Sequence, residues 1–248
     1  TRARRLQDRT AHDMLIEHCA FEGHRGGHIR YDSKKSFGFF TPESLAHQVG
    51  LPESDRPDAS IEPSQPTAGP ATIFEDTTPL TPEDSRSLPA SIMVMPSRAL
   101  RMIDRIEHFD PKGGPHGLGY VNGVKMIDPE EWFFKAHFYQ DPVCPGSLGI
   151  ESFVQLLRYA AGAYWPEHAA THAMELLAPG SHVWRYRGQI LPTSRRVEVE
   201  AVVTERHDHP YPTLKADGYL KCDGLYIYKM QDFGLCMMPQ DRHNDWKD

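Results

Sequence analysis

The sequence predicts an α+β domain in which an antiparallel sheet packs on one buried helix, and three observations carry that prediction. Val197, Val199, Ala201 and Val203 recur at period two, the period of a strand with one face in a core. Two further strand-like runs, "LKADGYLKC" and "LYIYKM", flank Asp223-Gly224, a dipeptide that closes tight hairpins. From Gly149 the spacing turns helical: Ile150, Phe153, Val154, Leu157 and Ala161 fall on one stripe, which Leu156 and Ala160 widen. A helix apolar around most of its girth is a buried one, and strands before and after it in sequence give the α+β class.

Length and composition fit that class. At 248 residues, 39% of them hydrophobic and 10% aromatic, the chain can bury a core as one large domain or two small ones. A net charge of −7 argues against an electrostatic nucleic-acid surface. A membrane-spanning helix needs roughly 20 consecutive apolar residues, and no stretch approaches that. The basic N-terminus "TRARRLQDRT" lacks both the apolar core of a secretory signal and an initiator Met, so an excised piece of a longer polypeptide is expected. Cys19, Cys144, Cys222 and Cys236 are scattered without a Cys-x-x-Cys pair, which fits a reducing cytoplasm better than a disulfide framework or a zinc site.

Along the chain, residues 28–50 read as a strand followed by a short helix at Thr41-Pro42, with Thr41 as N-cap, Pro42 at the first helical position and Glu43 in the first turn. Residues 52–89 hold eight prolines, and acids outnumber bases there, so this window reads as an extended linker that drapes over a neighbour through Ile73 and Phe74. Residues 117–138 look extended, first "GLGYVNGVKMI", then a turn at Asp128-Pro129 and the aromatic run "EWFFKAHF". The expected division is 1–50, a linker over 51–90, the main domain over 91–240 and a tail at 241–248. One internal echo stands out. "GHIRYDSKKSFGFF" (27–40) matches "GLYIYKMQDFGLCM" (224–237) with one residue of slip, as expected if residues 1–50 are the tail of a preceding copy of the same fold.

The chemistry concentrates in "HFYQDPVCPGSLGIES", residues 137–152. His137 ends a strand-like run, either as a buried neutral imidazole or as one facing a cleft. Pro142 and Pro145 hold the backbone extended or turned. Gly146 permits close approach, and Ser147 is the expected N-cap of the helix that follows. Amides around Gly146 then lie at a helix N-terminus, where the dipole favours negative charge such as a polarised carbonyl oxygen. Glu151 is expected in the first helical turn. There it is either a favourable dipole acid or, among Ile150, Phe153 and Val154, a buried carboxylate poised for catalysis.

The stretch "FFKAHFYQDPVCPGSLGIESFVQLL" (133–157) resembles the active-site signature of the bacterial beta-hydroxydecanoyl-acyl-carrier-protein dehydratase family, and more closely the dehydratase domains of polyunsaturated fatty acid synthases. "WRYRGQILP" (184–192) and "DGLYIYKMQDFGL" (223–235) extend the resemblance, which runs from about residue 90 to 240. It implies a hot-dog fold, a long antiparallel sheet wrapped around one helix. It also implies removal of water from a 3-hydroxyacyl thioester to give a trans-2-enoyl thioester within a fatty acid or polyketide-like synthase. The implied substrate rides on the phosphopantetheine of an acyl carrier protein, with no other cofactor and no metal. Position by position, His137 matches the catalytic histidine, Glu151 the catalytic acid, and Gly146 the residue whose amide binds the thioester carbonyl. Phe138, Val143 and Cys144 fall beside them as candidate substrate contacts. The bacterial enzyme has aspartate where this chain has Glu151, so the carboxylate reaches ~1.5 Å further. In the family the histidine and the acid of one site come from different hot-dog units, which implies a homodimer or pseudodimer.

Other residues carry blander readings. "HDHP" (207–210) lies in a turn without a recognisable metal-ligand set. Cys144 reads as a small apolar filler, Asp141 as a turn-former, and Arg185, Arg187, Arg195 and Arg196 as a solvated strand edge rather than a dock for a carrier protein. A hot-dog thioesterase and a catalytically silent hot-dog scaffold remain the competing functions.

Overall fold

The structure is a computed structural model that describes residues 2–11, 14–57, 72–73, 95–96, 98–138, 140–177 and 182–240. Most of the proline-rich segment, including Phe74, and the tail at 241–248 lie outside the described residues. The chain divides into two units, residues 1–48 and 49–248.

The first unit is a three-stranded antiparallel meander of β1 (Arg2–Ala11), β2 (Met14–Arg25) and β3 (His28–Phe40), followed by α1 (Pro42–Ala46). Thr41 caps that helix as its sequence position predicts, its side chain accepting from the Ser44 amide.

The second unit is the predicted α+β arrangement, a hot-dog fold. Its strands are β4 (Thr72–Ile73), β5 (Arg105–Asp110), β6 (Tyr120–Met126), β7 (His172–Leu176), β8 (Val183–Tyr186), β9 (Arg196–His207), β10 (Thr213–Cys222) and β11 (Leu225–Pro239). They form one sheet in the order β4-β5-β6-β9-β10-β11-β7, with β8 also on β11, and every pairing is antiparallel. The β10–β11 hairpin turns at Asp223-Gly224 with φ of 49° and 86°, the left-handed geometry that matches strand twist.

The central helix is α3 (Gly146–Tyr164), preceded by the short α2 (Trp132–Ala136). On α3, Phe153, Leu156, Leu157, Ala160 and Ala161 are fully buried, and Val154 nearly so. Each large apolar side chain so buried contributes about 1.5–3 kcal/mol before cavity and entropy costs. Two sheet glycines let the helix sink inward: a Cβ on Gly123 would meet Leu156 at 2.9 Å, and one on Gly218 would overlap the Phe153 ring.

Two local expectations are corrected. The run "EWFFKAHF" is not extended, because Trp132–Ala136 forms α2. The turn at Asp128-Pro129 precedes it, the Asp128 carboxylate accepting from the Glu130 amide at 2.9 Å and its carbonyl from the Glu131 amide at 3.1 Å. Consecutive Phe133 and Phe134 are both buried, which a strand with alternating faces does not favour. Ser147 is not the N-cap either. Helix α3 begins at Gly146 with Pro145 as N-cap and no side-chain cap, so Ser147 is the second helical residue and Glu151 falls in the second turn.

Residues 49–57 pack within the second unit. Leu51 is fully buried, and its amide donates to the Tyr226 carbonyl at 2.8 Å. Asp55 pairs with Arg185 at 2.6 Å and Lys229 at 3.5 Å. Burial raises the Asp55 carboxyl pKa, but the hydrogen bond and charge of Arg185, joined by Lys229, outweigh it and hold the pKa below the ordinary 3.8. A carboxylate depressed in the folded state stabilises above its unfolded pKa, and that contribution disappears as pH falls through the folded value. Asp55→Asn is therefore expected to lower stability at pH 7. In urea titrations across pH, its difference from wild type is expected to shrink as pH drops below 3.8; a difference independent of pH would contradict this.

Candidate active site

The approach to α3 is an irregular segment held at several points. α2 ends at His137, whose amide donates to the Phe133 carbonyl at 2.9 Å. Phe138 and Gln140 then both adopt φ of 59°. Left-handed backbone at two non-glycine residues costs of order 1–3 kcal/mol each and turns the chain back within a few residues. Offsetting contacts follow, since Val143 and Cys144 are buried and the Cys144 amide donates to the Ile190 carbonyl at 2.9 Å.

This turn brings His137 Nδ1 to 2.8 Å from the carbonyl oxygen of Val143. A backbone carbonyl can only accept, so Nδ1 carries the proton in the neutral ring and Nε2 keeps its lone pair. The half-buried imidazole is thus set as a base. The Phe138 ring packs against it, tilted by 41° at a centroid distance of 4.1 Å, while remaining 64% exposed.

Gly146 is the first residue of α3, where the amide has no intrahelical acceptor. A Cβ there would meet the Trp184 ring at 2.8 and 3.0 Å. One turn on, a Cβ on Gly149 would overlap Tyr228. Trp184, Tyr186 and Tyr228, from β8 and β11, form an aromatic shelf with ring centroids 4.8–5.7 Å apart. Burial pushes the Tyr186 hydroxyl to about 12 and the fully buried Tyr228 well above its ordinary 10.0, so both stay neutral donors. The helix N-terminus therefore packs against uncharged aromatic side chains.

Glu151 is half-buried and accepts from Gln155 Nε2 at 2.9 Å. Gln155 is fully buried. Its Nε2 also donates to the Leu100 carbonyl at 2.8 Å, and its Oε1 accepts from the Met102 amide at 2.8 Å. These partners fix the amide's orientation, since only an oxygen can face the Met102 N–H. Gln155, which holds the Glu151 carboxyl, is a residue of this site that the sequence analysis does not single out. The available signal was a polar side chain four residues after Glu151, inside an otherwise apolar stripe.

The structure brings some candidates together and not others. His137, Phe138 and Val143 form one contact set, and Gly146 lies against Trp184. His137 and Glu151 share neither a hydrogen bond nor an ion pair among the described residues. Asp141 is exposed. Arg185 and Arg196 are taken up by Asp55 and by Glu107 and Glu198, and Asp208 accepts from the Trp165 indole. No metal-binding group of side chains occurs among the described residues.

Cys144 is buried, and burial is the main cause that pushes its thiol pKa up to about 12. It is a protonated, apolar wall. Iodoacetamide at pH 8 is expected to leave Cys144 unmodified in the native protein and to alkylate it in urea, read by peptide mass mapping. Native-state alkylation at a rate typical of a free thiol would contradict this.

Residues 95–231 match the FabA-like domain family. The chain is 32% identical over 226 residues to a subunit of the polyunsaturated fatty acid synthase of a Thraustochytrium species, covering 89% of this chain but only 15% of that protein. Among solved structures, it is similar to the dehydratase heterocomplex ApeI:P of Xenorhabdus doucetiae, with a TM-score of 0.46 and 13% identity over 62% of this chain and 93% of that one. It is also similar to AziG of S. sahachiroi, with a TM-score of 0.38 and 9% identity over 54% of this chain and 90% of that one. With its family match spanning more than half of its length and enclosing His137, Gly146 and Glu151, the chain belongs to the FabA-like domain family.

Proposed function

We propose that the second unit dehydrates 3-hydroxyacyl thioesters to trans-2-enoyl thioesters, acting on chains carried by the phosphopantetheine of an acyl carrier protein within a cytoplasmic multidomain lipid or polyketide-type synthase. Family membership supports the reaction class, and the His137–Val143 hydrogen bond is the observation that carries the mechanism. With Nδ1 committed to a carbonyl, Nε2 accepts the proton from the carbon between the thioester carbonyl and the hydroxyl-bearing carbon. The Gly146 amide, at the helix N-terminus, stabilises the charge that grows on the thioester oxygen. Glu151, held by Gln155, gives its proton to the departing hydroxyl, which leaves as water while the new carbon–carbon double bond forms. The imidazolium proton and the carboxylate then re-equilibrate through solvent, so the cycle balances without a cofactor beyond the pantetheine arm.

The site is completed across two hot-dog units. His137 and Glu151 share no hydrogen bond or ion pair among the described residues, and each is free to serve a site whose other member comes from a second unit. A homodimer or a pseudodimer with a neighbouring unit supplies the partner.

The test is to incubate the chain with a 3-hydroxyacyl pantetheine thioester and follow products by mass. Loss of one water is expected, abolished in His137→Ala and reduced by roughly 10²–10⁴-fold in Glu151→Gln. Release of free acid instead of enoyl thioester would overturn the reading in favour of a thioesterase. Gly146→Ala forces the Trp184 ring to shift by the new Cβ contact. It is expected to lower kcat by about 10²-fold with the thermal midpoint changed by only a few degrees. An unchanged kcat would remove Gly146 from the mechanism.

A further inference from the structure

The residue after His137 is folded back onto it. His137 has extended backbone, with φ of −105° and ψ of 116°. In a chain that stays extended, the next side chain points to the opposite side. Phe138 instead takes φ of 59°, and its ring lies against the imidazole at a centroid distance of 4.1 Å. Left-handed backbone is disfavoured for a bulky residue, whereas glycine or asparagine adopts it at less cost.

Burial does not offset that cost. The Phe138 side chain is 64% exposed and stands outside the hydrophobic core. An aromatic ring left mostly in water contributes little of the transfer free energy that a buried one supplies. Phe138 therefore carries two local penalties, strain and exposure. The ring contact it makes is with His137.

What that contact does follows from the freedom of the imidazole. The hydrogen bond from Nδ1 to the Val143 carbonyl, at 2.8 Å, fixes one atom of the ring and leaves its plane able to tilt. A second ring packed on one face restricts that tilt. The contact also lies within the ~6 Å at which an aromatic ring favours a cation, the charge that His137 gains on taking a proton. Gln140 separates strain from contact. It has the same φ of 59°, yet among the described residues it shares no hydrogen bond with His137.

We propose that Phe138 is a positioning residue for the dehydration, a clamp that presses the His137 imidazole against the Val143 carbonyl and keeps Nε2 turned toward substrate. The proposal rests on the role given to His137 above, and it makes Phe138 act through the base rather than through substrate.

The test compares Phe138→Gly, Phe138→Tyr and Gln140→Gly. Phe138→Gly removes the ring and relieves the backbone, so its thermal midpoint is expected to rise by a few degrees. Its kcat on a 3-hydroxyacyl pantetheine thioester is expected to fall at least about tenfold, with KM held within about twofold. Phe138→Tyr keeps the ring and is expected to hold kcat within about twofold of wild type. Gln140→Gly relieves the same backbone angle away from the imidazole and is expected to keep both constants within about twofold. A second readout needs no turnover. In ¹⁵N spectra near neutral pH, the neutral His137 ring is expected to hold its proton on Nδ1 in wild type and to populate both tautomers in Phe138→Gly.

A raised KM with kcat retained would make Phe138 a substrate contact and overturn the proposal. So would a lowered midpoint or an unchanged His137 tautomer in Phe138→Gly, or an equal loss of kcat in Gln140→Gly. A change of oligomeric state in Phe138→Gly, read by light scattering, would overturn it too, because the ring would then serve a contact between units. If the wild-type chain dehydrates no thioester, the dehydratase reading fails, and the tautomer comparison still decides the role of Phe138.

Discussion

Close approach of α3 to the sheet and to the aromatic shelf is the constraint on which the second unit depends. It exists because side chains are missing where the surfaces meet. Gly123 and Gly218 open the sheet to Leu156 and Phe153, while Gly146 and Gly149 open the helix to Trp184 and Tyr228. Interiors packed at crystal-like density leave little slack for an added methyl on Gly123, Gly149 or Gly218, whereas at Gly146 the exposed Trp184 ring can give way. The depth and rotation of α3 are therefore fixed. With them are fixed the direction of the Gly146 amide and the position of Glu151 one and a half turns later.

Polar groups in this core are few and held. Gln155 spends its amide on the Leu100 carbonyl, the Met102 amide and Glu151, so the strand-leading segment near residue 100, the helix and the carboxylate move together. Leaving any one of these buried groups unpaired costs about 1–3 kcal/mol, which makes the network cooperative rather than ornamental. On the other side of the helix start, two left-handed residues store strain to place His137 against the Val143 carbonyl. Strain of this kind persists where surrounding contacts over-determine it, and the buried Val143 and Cys144 supply those contacts.

The sequence made much of this legible, for identifiable reasons. The hairpin at Asp223-Gly224 and the buried face of β9 follow from turn chemistry and period two, and α3 follows from a stripe seven residues rich. α2 was not legible, because a single helical turn of Trp, Phe and Phe has strand-like propensity and only its consecutive burial reveals it. Ser147 has the chemistry of a cap, but Pro145 ends the extended segment and Gly146 begins the helix without a side-chain cap. Gln155 escaped notice because its three partners come from residues more than fifty positions upstream as well as from the preceding turn.

The Val143 carbonyl holds the proton of the neutral His137 ring on Nδ1 and leaves the lone pair on Nε2. The most direct measurement is the ¹⁵N spectrum of the histidine side chains near neutral pH, with His137→Gln used to assign the signal. In the neutral ring of His137 a protonated Nδ1 and an unprotonated Nε2 are expected. A neutral ring carrying its proton on Nε2 would contradict this, because that nitrogen could not then take a proton from substrate.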